Sequence, residues 1–233
     1  MSKFKETIII SVGGSLIYPE ELDLNFILRL KEIVLKFVEQ GYRLVLISGG
    51  GKICRKYNEA ARQLNSQVTP RELDWMGIKT TKVNAELVRI MFNRFAYYKV
   101  LDQPNECLDK NKNAAVIVAG GWKPGASSDN MAVNLAKRFK AKKLINLSNI
   151  DYVYDKDPNK HPDAKKIEKI SWPDFRRLVG TKWNPGANVP FDPIASQLAA
   201  KLNLEVAILN GNNISNLTSY LKGGSFIGTI VKS

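Results

Sequence analysis

Residues 118–133 read VAGGWKPGASSDNMAV. An apolar strand runs into two glycines, a proline and a third glycine follow, and Ser127-Ser128-Asp129 opens a helix-forming run. A strand-to-helix connection in an α/β protein usually needs only about two to six residues. This one is longer, and the surplus suggests that something is held there. Glycine lets the backbone come close to a ligand, and a helix start offers free N–H groups and a positive dipole end that favour anions.

The same grammar of strand, glycine turn and helix extends outward. TIIISV, from Thr7, is a β-branched strand that breaks at Gly13-Gly14. LNFILRLKEIVLKFVEQ carries Leu24, Ile27, Leu28, Val34, Leu35 and Val38 at helical spacing and stops before Gly41. YRLVLIS is a second strand, followed by Gly49-Gly50-Gly51 and a helix. The next helix opens at Thr69, with Pro70 at its first position and Glu72 closing a capping box. KLINLSN and EVAILN are strands, Asp192 caps a helix over PIASQLAAKLN, and residues 214–222 form a helix before a short strand near GTIVK. The segment from Tyr152 to Lys166 is irregular and lies nearest to a lobe boundary.

Alternating strands and helices, with several strands apolar on both faces, predict a mostly parallel sheet covered by helices on both sides. One continuous α/β domain over residues 1–233 is expected, with an N-terminal lobe of about 1–142 and a C-terminal lobe of about 143–233. No apolar run approaches the length of a membrane span, and the first residues lack a secretion-signal pattern, so a cytoplasmic protein is expected. Cys54 and Cys107 stand far apart without metal-ligand spacing, against a disulfide framework or a zinc site. His161, the sole histidine, lies in DPNKHPDA and reads as a solvated loop residue, which disfavours histidine chemistry. The net charge of +13 attracts polyanions or phosphorylated small molecules. Its lysines and arginines are scattered among acids without a nucleic-acid-binding motif, so neither nucleic acid nor membrane is an expected partner.

Ligands of such folds sit at the carboxyl ends of the strands. Glycine turns fall there three times: Gly13-Gly14-Ser15, Gly49-Gly50-Gly51, and Gly120-Gly121 with Gly125. Neither a GxxxxGK[ST] loop nor a GxGxxG after the first strand is present. Lys52 and Arg55 fall in the first turns of a helix, where cations are poorly matched to the dipole. They either neutralise a bound phosphate or lie on a solvated face. Asp151, Asp155 and Asp157 are equally compatible with a turn and with a site.

With VGGSL, SGGGKICRKY, DWMGIKTTKVNA, GGWKPGASSD, NIDYVYDKDP and FDPIASQLAAK in order, the chain resembles the amino acid kinase family, in its archaeal uridylate kinase branch. The resemblance implies a three-layer αβα sandwich, transfer of the ATP γ-phosphoryl to UMP with Mg²⁺ as the metal, no direct metal-ligating residue, and commonly a hexamer. It puts the acceptor in the N-terminal lobe and ATP in the C-terminal lobe. Gly14, Ser15, Gly51, Arg55, Ser148, Asn149, Tyr154 and Asp157 would bind ATP. Gly50, Asp74, Gly121, Trp122, Lys123, Pro124, Gly125, Ala126, Ser127 and Ser128 would bind UMP, with Asp74 on the ribose hydroxyls. Lys52, Arg55, Lys123 and Asp192 would serve the transfer itself. Many relatives have a lysine at the position of Ser11, and Lys52 or Lys123 is expected to take its place. Tyr152 replaces a family glycine beside the adenine pocket. The competing readings are another small-molecule kinase of the same fold and a non-catalytic nucleotide or oxoanion binder.

Overall fold

The computed structural model describes residues 3–108, 113–158, 160–181 and 189–233. In chain order the strands and helices are β1 (Thr7–Val12), α1 (Gly14–Ile17), α2 (Leu24–Glu39), β2 (Arg43–Ser48), α3 (Gly51–Leu64), α4 (Pro70–Phe92), β3 (Val116–Ala119), α5 (Ser128–Phe139) and β4 (Lys143–Ser148). There follow β5 (Val153–Tyr154), β6 (Lys166–Ile167), β7 (Lys169–Ser171), α6 (Trp172–Val179), α7 (Pro193–Lys201), β8 (Glu205–Asn210), α8 (Ile214–Leu221) and β9 (Thr229–Lys232).

Seven strands form one sheet in the order β3-β2-β1-β4-β8-β9-β7. All neighbours run parallel except β8 and β9, which are antiparallel. Ile9 of β1 is in register with Val45 of β2 on one side and Leu144 of β4 on the other. Chain order therefore reverses between β1 and β4, which is where open α/β sheets form their ligand crevice.

Successive strand residues point to opposite faces, and here both faces are apolar. Ile8, Ile10, Leu44, Leu46, Val116 and Val118 pack into a core with Phe26 and Leu30 of α2, Val88 and Phe92 of α4, and Leu217 of α8. Ile9, Val45, Ile47 and Ile117 look the other way, into a second core with Met131 and Leu135 of α5, Phe175 of α6 and Ala195 and Ala199 of α7. Each buried aliphatic side chain contributes about 1.5–3 kcal/mol. Two such cores, one on each side of the sheet, make the three layers expected from the sequence.

Three details differ from the sequence reading. The ends of the 152–166 segment pair as the antiparallel β5–β6 hairpin, with Val153 opposite Ile167 and Tyr154 opposite Lys166. Helix α6 fills a stretch in which no element is expected. Its cap is Ser171, whose Oγ accepts the Asp174 N–H at 3.3 Å, with Pro173 in the first turn. Strand β7, just before α6, forms the far edge of the sheet beside β9.

Candidate active site

Because β1, β2, β3 and β4 are parallel, their loops emerge at one rim. The first two loops touch. A Cβ on Gly14 would stand 2.0 Å from the Gly51 nitrogen and 2.6 Å from that of Gly50, so no larger residue permits this approach. The first loop is also tied to β4, with the Gly13 N–H donating to the Leu147 carbonyl at 2.8 Å. The third loop joins through α4: Gly121 N–H donates to Thr81 Oγ1 at 2.7 Å. The Thr81 methyl lies beside Gly50, at 3.7 Å from where a Cβ would project. Gly14, Gly50 and Gly121 thus share one cleft.

The segment 123–126 is a tight turn of the type II pattern. Pro124 and Gly125 occupy its centre, Gly125 has φ +76°, and Ala126 N–H closes it on the Lys123 carbonyl at 3.2 Å. Asp74 Oδ2, on α4, accepts the Gly125 N–H at 2.8 Å and pins the turn. Lys123 extends its ammonium over the Trp122 ring at 4.3 Å from the centroid. Lys52 pairs with Glu20, in the connection between α1 and α2.

Ser127 caps α5 by accepting the Asn130 N–H at 3.1 Å, and its hydroxyl donates to Asp192 Oδ2. Asp192 is 3% exposed and caps α7, its Oδ1 accepting Ile194 N–H at 2.6 Å and Ala195 N–H at 2.9 Å. The amino ends of α5 and α7 are therefore stitched together, and Ser128 begins the α5 helix beside that junction. Asp129 adds a second link. Its Oδ2 accepts the Asp192 N–H at 3.2 Å and its Oδ1 the Ser11 hydroxyl at 3.1 Å. Burial of its carboxyl pushes the Asp129 pKa up to about 6, and the nearby Asp192 charge adds to the rise.

Two cavities lie near these loops. One, of about 540 Å³, is lined by Ser148, Asn149, Tyr152, Tyr154 and Asp157 among others. It adjoins the first loop, since a Cβ on Gly13 would lie 3.6 Å from Ser148 Cα. The other, of about 600 Å³, lies between α3 and the start of α4 and is lined by Arg55, Asn58, Glu59, Arg62, Leu73 and Asp74. Of the residues expected on the ATP side, Ser148, Asn149, Tyr154 and Asp157 line the first cavity; of those expected on the acceptor side, Asp74 lines the second. Arg55, expected to serve ATP, lies in the cavity that contains Asp74. Among the described residues no group of three or more His, Cys, Asp or Glu side chains is arranged to hold a metal.

Three glycine loops thus meet at the strand rim, and comparison with known proteins gives the family. Residues 6–210 match the model of the amino acid kinase family. The chain belongs to that family. It is similar to the uridylate kinase of Methanobrevibacter smithii, at 34% identity over 97% of this chain and 99% of the relative. It is also similar to that of Sulfurisphaera tokodaii, at 29% identity over 97% and 98%. The crystal structure of uridylate kinase from Archaeoglobus fulgidus superposes with a TM-score of 0.82 at 29% identity, covering 96% of this chain and 99% of the other.

In this amino acid kinase, the sequence reading missed Thr81, Asn84 and Asp129 as parts of the cleft. Asn84 is 3% exposed, and its Nδ2 donates to the carbonyls of Gly49 at 2.8 Å and Gly50 at 3.1 Å. A signal for two of them was present. Asp74 and Thr81 are seven residues apart on one helix, hence on one face, and Asn84 follows one turn later. Asp129 was readable only as a first-turn acid of α5.

Proposed function

We propose that this chain transfers the γ-phosphoryl of ATP to UMP, giving UDP. The observation that carries this reading is the meeting of three glycine loops at one rim, with one nearby cavity lined by Asp74 and Arg55 and another by Ser148, Tyr154 and Asp157. The similarity to relatives named uridylate kinase over nearly their whole length supports UMP as the acceptor.

The roles are those that the resemblance implies. Phosphoryl transfer passes through a loose transition state, so the protein needs to align two anions and stabilise their charge rather than form a covalent bond. Gly50, Gly121 and the turn Trp122–Ala126 cradle the UMP, Asp74 takes the ribose hydroxyls, and the Ser127 amide with the Ser128 hydroxyl and amide present donors at the α5 amino end. Gly14, Ser15 and Gly51 face the ATP phosphates, while Ser148, Asn149, Tyr154 and Asp157 hold its base and ribose. Arg55, Lys52 and Lys123 supply cations, Arg55 from the cavity that also holds Asp74. Asp192 keeps the α5 and α7 amino ends oriented towards the transferring group. The N-terminal lobe, about 1–142, is the acceptor side, and about 143–233 the donor side.

A divalent cation is required by chemistry of this kind, and Mg²⁺ suits it. Mg²⁺ keeps several waters and binds through substrate phosphates with one or two carboxylates. The carboxylate oxygens of Asp129 and Asp192 are already committed to internal donors, which favours an ion carried in on the ATP polyphosphate. When bound, it would neutralise charge on the β- and γ-phosphates. A homo-oligomer, hexameric by resemblance, fits the outer face of α4, where Met76, Val83 and Ile90 are exposed at seven-residue spacing. A place in pyrimidine nucleotide synthesis in the cytoplasm accords with this activity, and no helix of the described residues is long and apolar enough to cross a membrane.

A coupled assay of ADP release with UMP, CMP and dUMP plus MgATP tests the reading. UMP-dependent turnover that EDTA abolishes is the expected result. Tight nucleotide binding without turnover would overturn it.

A further inference from the structure

The geometry points to Thr81 and Asn84 as positioning residues that set the phosphate-binding loops from one face of α4. This inference deepens the kinase reading and rests on it. Neither side chain lines the two cavities described; each acts through a backbone that does reach the cleft.

A trans peptide points its C=O and its N–H to opposite sides. Asn84 holds the carbonyls of Gly49 and Gly50 on the α4 side, at 2.8 and 3.1 Å. The amides of the following residues, Gly50 and Gly51, must then face away from α4. That is the side on which Gly14 packs, since a Cβ there would collide with both nitrogens. One buried amide side chain thereby turns two consecutive N–H donors to the seam between the first and second loops. A hydrophobic residue at position 84 would leave two buried carbonyls without that donor, at the desolvation cost such groups carry.

Thr81 does the same for the third loop. Its hydroxyl donates to the Ile78 carbonyl at 2.7 Å, which fixes the oxygen as an acceptor for Gly121 N–H at 2.7 Å. The register of the 121–128 loop is therefore set twice by α4: at Gly121 through Thr81 and at Gly125 through Asp74. Acceptor loop and donor loop share one rigid support, and the distance between the reacting groups is held by that helix.

The test uses Thr81→Val, which keeps the shape and removes the oxygen, beside Thr81→Ser, which keeps the oxygen. In Thr81→Val, kcat is expected to fall about tenfold or more while KM for UMP and for ATP stay within about threefold. Hydrogen exchange at residues 120–122 should accelerate by a similar factor of about ten. Thr81→Ser should restore both to within about threefold of the parent. Asn84→Ala is expected to do the same to exchange at 50–52, and should it fail to fold, the Thr81 pair still decides. Unchanged kcat and protection in Thr81→Val, or equal losses in Val and Ser, would overturn the inference. Turnover of the unaltered chain is measured first. Its absence would strike the kinase reading, while the exchange comparison would still judge the loop support.

Discussion

Ser11 Oγ, near the end of β1, donates to Asp129 Oδ1 at 3.1 Å, in the first turn of α5. A hydroxyl thus stands against a buried carboxyl at the position for which the resemblance implies a lysine. Among the described residues no cation stands beside the carboxyl to offset burial, and its pKa rises from 3.8 to about 6.

The rise has a defined sign for stability. A carboxyl whose folded pKa is raised favours the folded state below its unfolded pKa and loses that contribution as pH climbs through the folded value. Between pH 4 and pH 7.5 the parent protein should therefore lose up to about 3 kcal/mol relative to Asp129→Asn, from a shift of roughly two units. Urea unfolding of both proteins at the two pH values measures it. Parallel pH dependences would show that Asp129 ionises freely in the fold.

Asp74 is asked both to pin the Gly125 turn and to take the acceptor ribose. Asp74→Ala should raise KM for UMP by about tenfold to a hundredfold, the range for losing one or two charged hydrogen bonds. KM for ATP should move less than about twofold, since the donor sits at the other cavity. Asp74→Asn keeps an oxygen for the Gly125 amide and should fall between. Steady-state kinetics with each substrate varied decides this.

With serine at position 11, the proposed reaction calls for another cation at the transferring phosphoryl. Lys52, paired with Glu20, and Lys123, over Trp122, are both within a turn or two of the glycine loops. Alanine at one of them should lower kcat by about tenfold or more with little effect on thermal stability, because exposed pairs of this kind are worth about 0–1 kcal/mol. Turnover unchanged in both variants would assign the charge elsewhere.

Tyr152 lines the donor cavity, and the Lys166 ammonium lies 4.8 Å from its ring centroid. Tyr152→Gly should raise KM for ATP about threefold to tenfold, the scale of a lost aromatic contact, and leave KM for UMP unchanged. An unchanged KM for ATP would place the adenine away from this wall.

Much of this architecture is readable along the chain because local chemistry dictates it. Thr69, Pro70 and Glu72 form the expected capping box, with Thr69 N–H donating to Glu72 Oε2 at 2.7 Å. Asp192 before Pro193 caps α7 as the sequence implies. The Ser171-Trp172-Pro173-Asp174 start of α6 carries the same kind of signal, though it lies in a stretch otherwise short of apolar periodicity. What the sequence does not reveal is long-range. Asn84 reaches Gly49 across 35 positions, and Ser11 reaches Asp129 across 118, so only the folded sheet brings them together. The glycines were legible as places where backbone must pass close; their partner was not.

Helix α4 has a consequence for how this chain can vary. Asp74 and Asn84 are separated by ten residues, about 15 Å of helix at its usual rise. Adding or deleting one residue between them would swing one end by about 100° and unhook either the turn or the loop. The stretch behaves as a gauge block, whose length is what the cleft requires of it.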